Sequence, residues 1–385
     1  MDKDLLYINE ELASDSIYDE IHQYLNSRYR IVFNEISLKY YIKLLDSIQW
    51  YDLNDKSLLI ELISAKYKIK KGELETYLGS NYIEQINPFE EYFNHLEKWD
   101  KTDYITKLAS YLQTDNDKLF VYHLKKWLVR TVKSAINKTF YNKNCIVLIH
   151  EEENSGKSTF CRFLTPPDLK NYSAENISSD KDGLSLLCKN MIINLDEIDQ
   201  ISYKDIKGYK SMLSKEQINI RLPYAKNNIM LPRTCSFISS TNLINFLNKS
   251  SGDVRWICFE LTKGIDFNYS KDIDINKVWE QAFHLAYKDK AFNCDLTVND
   301  IKENEKRNAN YKQSTIEEDL INQLFEKSDN RDHFMTTTTI TMIIKKEYSS
   351  VSHIAIGKVL RKLKFKRINS KITGVKGYLI KLRKK

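Results

Sequence analysis

The sequence predicts an α/β protein: a phosphate-binding-loop domain, preceded by a helical N-terminal domain and followed by a winged helix-turn-helix. Three observations lead there. Three short apolar runs, Cys145–His150, Met191–Leu195 and Ser236–Ser240, are separated by helical stretches, the pattern of strands buried on both faces of a parallel sheet. The first run leads into Gly156-Lys157-Ser158 and then the helix-like Thr159–Leu164. Residues 316–385 read as three helices followed by two strands.

Composition bounds the alternatives. A chain of 385 residues with 42% hydrophobic and 29% charged side chains has enough apolar surface for packed cores, and its length suggests two or three domains. No stretch approaches 18 uncharged apolar residues, which excludes a membrane-spanning helix. The acidic N-terminus lacks an apolar signal core, and the six scattered cysteines contain no CxxC pair. Buried thiols in a reducing cytoplasm are the expectation. The formal net charge of +7 is local: residues 361–385 hold 11 Lys and Arg and no acid, a basic patch suited to DNA or RNA.

Taken in order, residues 1–30 are polar and acidic, with a helix expected after the start. Residues 31–125 read as short helices, with apolar clusters at Tyr40–Leu45 and Leu58–Ile63. An amphipathic helix is expected from Leu119 to Ala135. The predicted boundaries are 1–118 for the helical domain, 119–300 for the phosphate-loop core, 301–315 (charged and polar) for a linker, and 316–385 for the last domain.

The loop Glu151-Glu152-Glu153-Asn154-Ser155-Gly156-Lys157-Ser158-Thr159 fits the second half of the G-x-x-x-x-G-K-[ST] pattern, with Glu151 in place of its first glycine. Residues 154–159 are the expected cradle for ATP: amides at a helix start face the phosphates, Lys157 reaches the β and γ groups, and Ser158 holds Mg2+. The three glutamates must point away from the triphosphate or be offset by lysines. The second apolar run ends in Asp196-Glu197, an acid to orient magnesium and one to polarise water. The third ends in Ser239-Ser240-Thr241-Asn242, where Asn242 is placed to sense the γ-phosphate. Arg255, after Ser251-Gly252-Asp253-Val254, is expected to act in a neighbouring subunit's site as an arginine finger.

These stretches, with Trp99-Asp100-Lys101, Ile105-Thr106-Lys107-Leu108, Tyr209-Lys210-Ser211-Met212-Leu213-Ser214 and Arg221-Leu222-Pro223-Tyr224, make residues 85–262 resemble the virulence-associated E family. That family is related to the superfamily 3 replicative helicases of mobile elements. The chain departs from it at Glu151, and at Val254, where an adjacent arginine often stands. The resemblance implies an AAA+ ATPase working as a homo-hexameric ring, a helicase part without a primase. It also implies a β-hairpin projecting into the central channel. Asn219–Tyr224 and Ile229–Pro232 flank a turn-like Ala225-Lys226-Asn227-Asn228, which puts Lys226 against a threaded single strand. For Arg221 and Arg233 a place at the nucleotide or the subunit interface stays open as an alternative.

In the last domain, helices are expected at 316–327, from a Thr336–Thr339 cap to Lys346, and at 352–363, followed by strands around Phe365–Ile368 and Gly377–Leu382. Duplex DNA would meet Lys358, Arg361 and Lys362 on the third helix and Lys366, Arg367 and Lys371 on the wing. The function expected is an ATP-driven DNA helicase replicating a phage, plasmid or genomic island. A DNA-binding regulator with a degenerate nucleotide site and a protein-remodelling ATPase stay open beside it.

Overall fold

The computed structural model describes residues 16–196, 203–220, 228–247, 254–312, 315–370 and 374–383. The chain forms two compact units, residues 1–243 with 254–304, and 244–253 with 305–385.

The first unit opens with α1 (Ile17–Asn26), started by a capping box between Ser16 and Asp19. Strands β1 (Tyr29–Asn34), β2 (Lys39–Leu44) and β3 (Tyr51–Asp52) then make an antiparallel meander, and helices α2 (Asp55–Ser64) and α3 (Lys71–Leu78) precede β4 (Glu84–Ile86). These four strands form a sheet in the order β3-β2-β1-β4. The expected all-helical N-terminal domain is therefore corrected. Residues 58–63 are helical, but the Tyr40–Leu45 cluster is mostly strand β2. Its true period is two: Tyr40 and Ile42 pack on the core of α1–α3, and Lys39, Tyr41 and Lys43 take the other face. A short apolar run with aromatic residues fits either period, and pairing with β1 decides it.

Helices α4 (Pro88–His95), α5 (Tyr104–Ala109) and α6 (Asp117–Ile136) lead into the central sheet. The long α6 covers the expected 119–135 helix, and its Trp127 donates from Nε1 to the Phe237 carbonyl at 2.9 Å. A buried ion pair, Lys126 to Asp300 at 3.0 Å, ties it to the end of the unit.

The central sheet is built from β5 (Cys145–Ile149), α7 (Lys157–Phe163), β6 (Ser173–Glu175), α8 (Lys181–Leu186), β7 (Ile192–Leu195), α9 (Tyr203–Leu213), the hairpin strands β8 (Gln217–Ile220) and β9 (Ile229–Pro232), β10 (Ser236–Thr241) and β11 (Trp256–Glu260). Helices α10 (Tyr269–Asp272), α11 (Ile275–Tyr287) and α12 (Val298–Asn308) follow. Strands β11-β5-β10-β7-β6 lie parallel in that order. All three apolar runs are strands here, and β5 is wholly buried, as a central strand covered on both faces must be. Register brings Ile149 of β5 beside Thr241 of β10, and Leu195 of β7 beside Ser239. The carboxyl ends of β5, β10 and β7 thus meet at one edge. Residues 298–308, mostly within the segment whose composition reads as linker, are helical, and the unit boundary falls inside α12.

The second unit contains α13 (Ile316–Leu324), β12 (Phe325–Lys327), β13 (Phe334–Thr336), α14 (Thr337–Lys345), α15 (His353–Lys362), β14 (Arg367–Asn369) and β15 (Lys376–Leu382). Thr336 caps α14 as expected, accepting from the Thr339 amide. The first helix stops three residues short of 327, because Phe325–Lys327 pairs with β15 instead. Strands β14 and β15 pair antiparallel after α15, the two strands expected there. Gly377 is required by contact: a Cβ there would lie 2.5 Å from the Phe334 ring. All six cysteines are buried and outside any disulfide, and no helix among the described residues is long and apolar enough to cross a membrane.

Candidate active site

After β5 the chain turns through residues 150–156 into α7. Asn154 (φ +57°) and Gly156 (φ +92°) are both left-handed. Only glycine fits the second position: a Cβ would come 2.9 Å from Phe267 and 3.2 Å from the Ile265 Cβ. The Ile265 amide donates to the Ser155 carbonyl at 2.9 Å, so the loop is buttressed from behind. Glu151, Glu152 and Glu153 are exposed. Lys157 is only 6% exposed. Its ammonium donates to the carbonyls of His150 and Glu152 at 3.2 Å each and to Ser155 Oγ at 2.7 Å. Asn154 and Thr159 are exposed on the loop and the first helical turn.

Around Asp196, at the end of β7, side chains from three elements converge. Ser158 Oγ on α7 and Ser240 Oγ on β10 both donate to Asp196 Oδ1 at 2.5 Å, and the two hydroxyls lie 3.3 Å apart. Arg162 on α7 donates to Asp196 Oδ2 at 3.1 Å and grips Glu175 at the end of β6 at 2.5 Å. The Glu175 hydrogen bond raises the Arg162 pKa, so this cation is permanent. Beneath them Cys161 is fully buried, and burial pushes its thiol up and keeps it neutral. Hydroxyl and carboxylate oxygens beside a lysine-bearing loop match what Mg2+ takes when it also binds substrate phosphates and water. Sequence reasoning brought Lys157, Ser158 and Asp196 here and missed Ser240, Arg162 and Glu175. The signal for Ser240 was its place in the Ser239–Asn242 strand end. Asn242 is partly buried just past β10, but it is Ser240 that bonds to Asp196. Glu197 lies outside the described residues.

Arg255 sits elsewhere. It precedes β11, and its carbonyl accepts from the amide of Cys145 at the start of β5, so it marks the opposite edge of the sheet. The five residues of β5 put that edge about 16 Å from the loop. Its Nε donates to Ser214 Oγ at 2.7 Å, and Ser214 in turn donates to the Lys210 carbonyl, which gives part of the Tyr209–Ser214 signature a geometric role. Within one copy Arg255 does not join Lys157.

Arg233 corrects an expectation. It is wholly buried and donates to the carbonyls of Cys235, Met212, Leu213 and Asn142, clamping the end of α9 to the base of the hairpin. A guanidinium whose donors are spent on backbone inside a core serves neither a nucleotide nor an interface. The Trp99–Lys101 segment is also structural: Trp99 Nε1 donates to the Thr102 carbonyl, and Asp100 accepts from the Thr102 amide and the Tyr104 hydroxyl.

The hairpin stem pairs Gln217–Ile220 with Ile229–Pro232. Arg221 and Lys226 lie outside the described residues, as does Lys371. In the second unit Lys358, Arg361 and Lys362 are exposed on α15, and Lys366 and Arg367 are exposed beyond it. Lys362 bonds both Glu318 oxygens at 2.7 Å, Lys366 pairs with Asp329 at 2.9 Å, and Arg361 Nε donates to the Gly357 carbonyl of its own helix at 3.1 Å.

The family model described as virulence-associated protein E-like domain matches residues 93–317. Among solved structures, "The apo structure of NrS-1 C terminal region (305-718)" aligns with a TM-score of 0.56 at 12% identity, over 96% of this chain and 100% of that one. An A form of the same region aligns at 0.53 and 12%, over 95% and 100%. These identities speak for a shared fold. No curated protein matches the chain.

Proposed function

Because the chain belongs to the virulence-associated protein E-like family, we propose that it is an ATP-hydrolysing ring motor that acts on DNA during replication of a mobile element. The observation that carries this reading is the convergence of Ser158, Asp196 and Ser240 beside the buried Lys157 at the carboxyl edge of a parallel sheet.

In this reading Lys157 leaves the carbonyls of His150 and Glu152 for the β- and γ-phosphates, and Ser158 and Asp196 hold Mg2+. Held by Ser158 and Asp196, Mg2+ would supply positive charge to the phosphate oxygens. Glu197 takes the proton of the attacking water, and Asn242 orients that water or the γ-phosphate. Arg255 acts in trans: from its own sheet's far edge it serves the nucleotide of the next copy, which makes a closed ring the working assembly, taken here as a hexamer. Lys226, which falls between the two hairpin strands in sequence, contacts a single strand in the channel. The second unit serves as a winged helix-turn-helix on duplex DNA, with α15 in the major groove.

The test is ATP turnover with and without DNA, and displacement of one strand of a forked duplex. Wild-type protein is expected to do both and Lys157→Ala neither. Hydrolysis without any strand displacement rejects the helicase reading, and absence of MgATP binding rejects the motor altogether.

A further inference from the structure

We infer that Arg162 is a positioning residue that fixes which oxygen of Asp196 faces the magnesium position. The inference rests on the nucleotide reading above and deepens it.

Ser158 and Arg162 are four residues apart on α7, so one helix face presents a hydroxyl and a guanidinium to the end of β7. Asp196 is caught between them. Its Oδ1 receives the Ser158 and Ser240 hydroxyls, and its Oδ2 receives Arg162 Nη2 at 3.1 Å. A carboxylate gripped at one oxygen cannot rotate to exchange the two. The guanidinium is itself held: Nε meets Glu175 Oε1 at 2.5 Å, and Nη2 meets Glu175 Oε2 at 3.0 Å. Glu175 stands at the end of the edge strand β6, whose register with β7 places it beside Asn194. The chain Glu175–Arg162–Asp196 therefore runs from the sheet edge to the proposed metal ligand.

Burial tells against a purely stabilising role. The Arg162 side chain is 50% exposed and that of Glu175 43%, and ion pairs so exposed add little to folding. Asp196, by contrast, is 16% exposed, where orientation persists. The geometry also requires arginine. One planar fork spans both carboxylates, and a lysine ammonium, a point charge on a flexible stem, reaches one at a time. Partners of this kind, one bond removed from a metal, are typically worth about 10- to 100-fold in metal affinity.

The experiment is a Mn2+ titration followed by electron paramagnetic resonance, on the full chain with a non-hydrolysable ATP analogue, for wild type, Arg162→Gln, Arg162→Lys and Glu175→Gln. Affinity for the analogue in EDTA and the thermal midpoint are measured alongside. Both Arg162 variants are expected to weaken Mn2+ binding about 10-fold or more, with the EDTA affinity and midpoint little changed. Glu175→Gln is expected to move Mn2+ affinity the same way by less. Wild-type Mn2+ affinity in Arg162→Gln or in Arg162→Lys overturns the positioning role alone, as does a loss that merely follows the thermal midpoint. A wild-type protein with no metal-dependent nucleotide binding overturns the nucleotide reading and this inference together.

Discussion

Ser158 and Ser240, 82 positions apart, lie 3.3 Å from each other and donate to the same oxygen of Asp196. One comes from the first turn of α7 and the other from the strand between β5 and β7. Parallel register makes the meeting possible, because β10 pairs with both neighbours and its end lies level with theirs.

Ser240→Ala is therefore expected to cut ATP turnover roughly 10-fold and to raise the Mg2+ concentration for half-maximal rate, by removing a hydroxyl that orients Asp196. Ser158→Ala removes the proposed direct ligand and loses more. Steady-state rates across a Mg2+ series check this; a Ser240→Ala enzyme with the wild-type Mg2+ curve contradicts it.

Arg255 lies a strand length from its own loop, so its effect on chemistry is expected only across an interface. Arg255→Ala should lose about 1,000-fold or more in turnover. Mixed with Lys157→Ala protein it should recover activity, because a hybrid interface pairs an intact Lys157 with an intact Arg255. Two dead variants that stay dead when mixed would rule out action in trans.

Arg233→Met should destabilise the fold by at least about 3 kcal/mol, since the carbonyls of Met212, Leu213, Cys235 and Asn142 lose a buried donor. Urea unfolding measures it. A nucleotide defect in a variant of normal stability would restore the site role that the structure denies Arg233.

On duplex DNA, Lys358→Ala and Arg361→Ala should each weaken binding for all sequences and lower the salt slope by about one. Glu318→Gln should strengthen binding, because it releases Lys362 from its carboxylate. Fluorescence anisotropy at several salt concentrations separates these outcomes, and an unchanged slope in all three variants removes α15 from the interface.

The acid side of the stability profile should owe part of its shape to Asp103. Burial raises its carboxyl, but hydrogen bonds from Gln281, Lys125 and Thr106 outweigh that and bring it down to about 2. The unfolded value is near 3.9, so the contribution is complete above about pH 4 and fades as pH falls towards 2. Thermal midpoints taken down this range should drop less steeply in Asp103→Asn; parallel curves would contradict the assignment.

What the sequence determined by itself is what local pattern encodes. Short apolar runs marked β5, β7 and β10, three of the five strands of the central sheet. The lysine-bearing turn after the first marked the loop, and the cap at Thr336 and the Leu119–Ala135 periodicity marked helices. Each depends on residues within a few positions of one another. Only the tertiary structure decided the rest. Whether Tyr40–Leu44 is helix or strand depends on pairing with β1, and Arg233 looks like any surface arginine until the carbonyls around it are known. The partnership of Asp196 with Ser240, Arg162 and Glu175 depends on strand order, as does the placing of Arg255 at the far edge. Strand order is settled by burial of apolar faces between segments far apart in the chain, and no local pattern records which ends will meet.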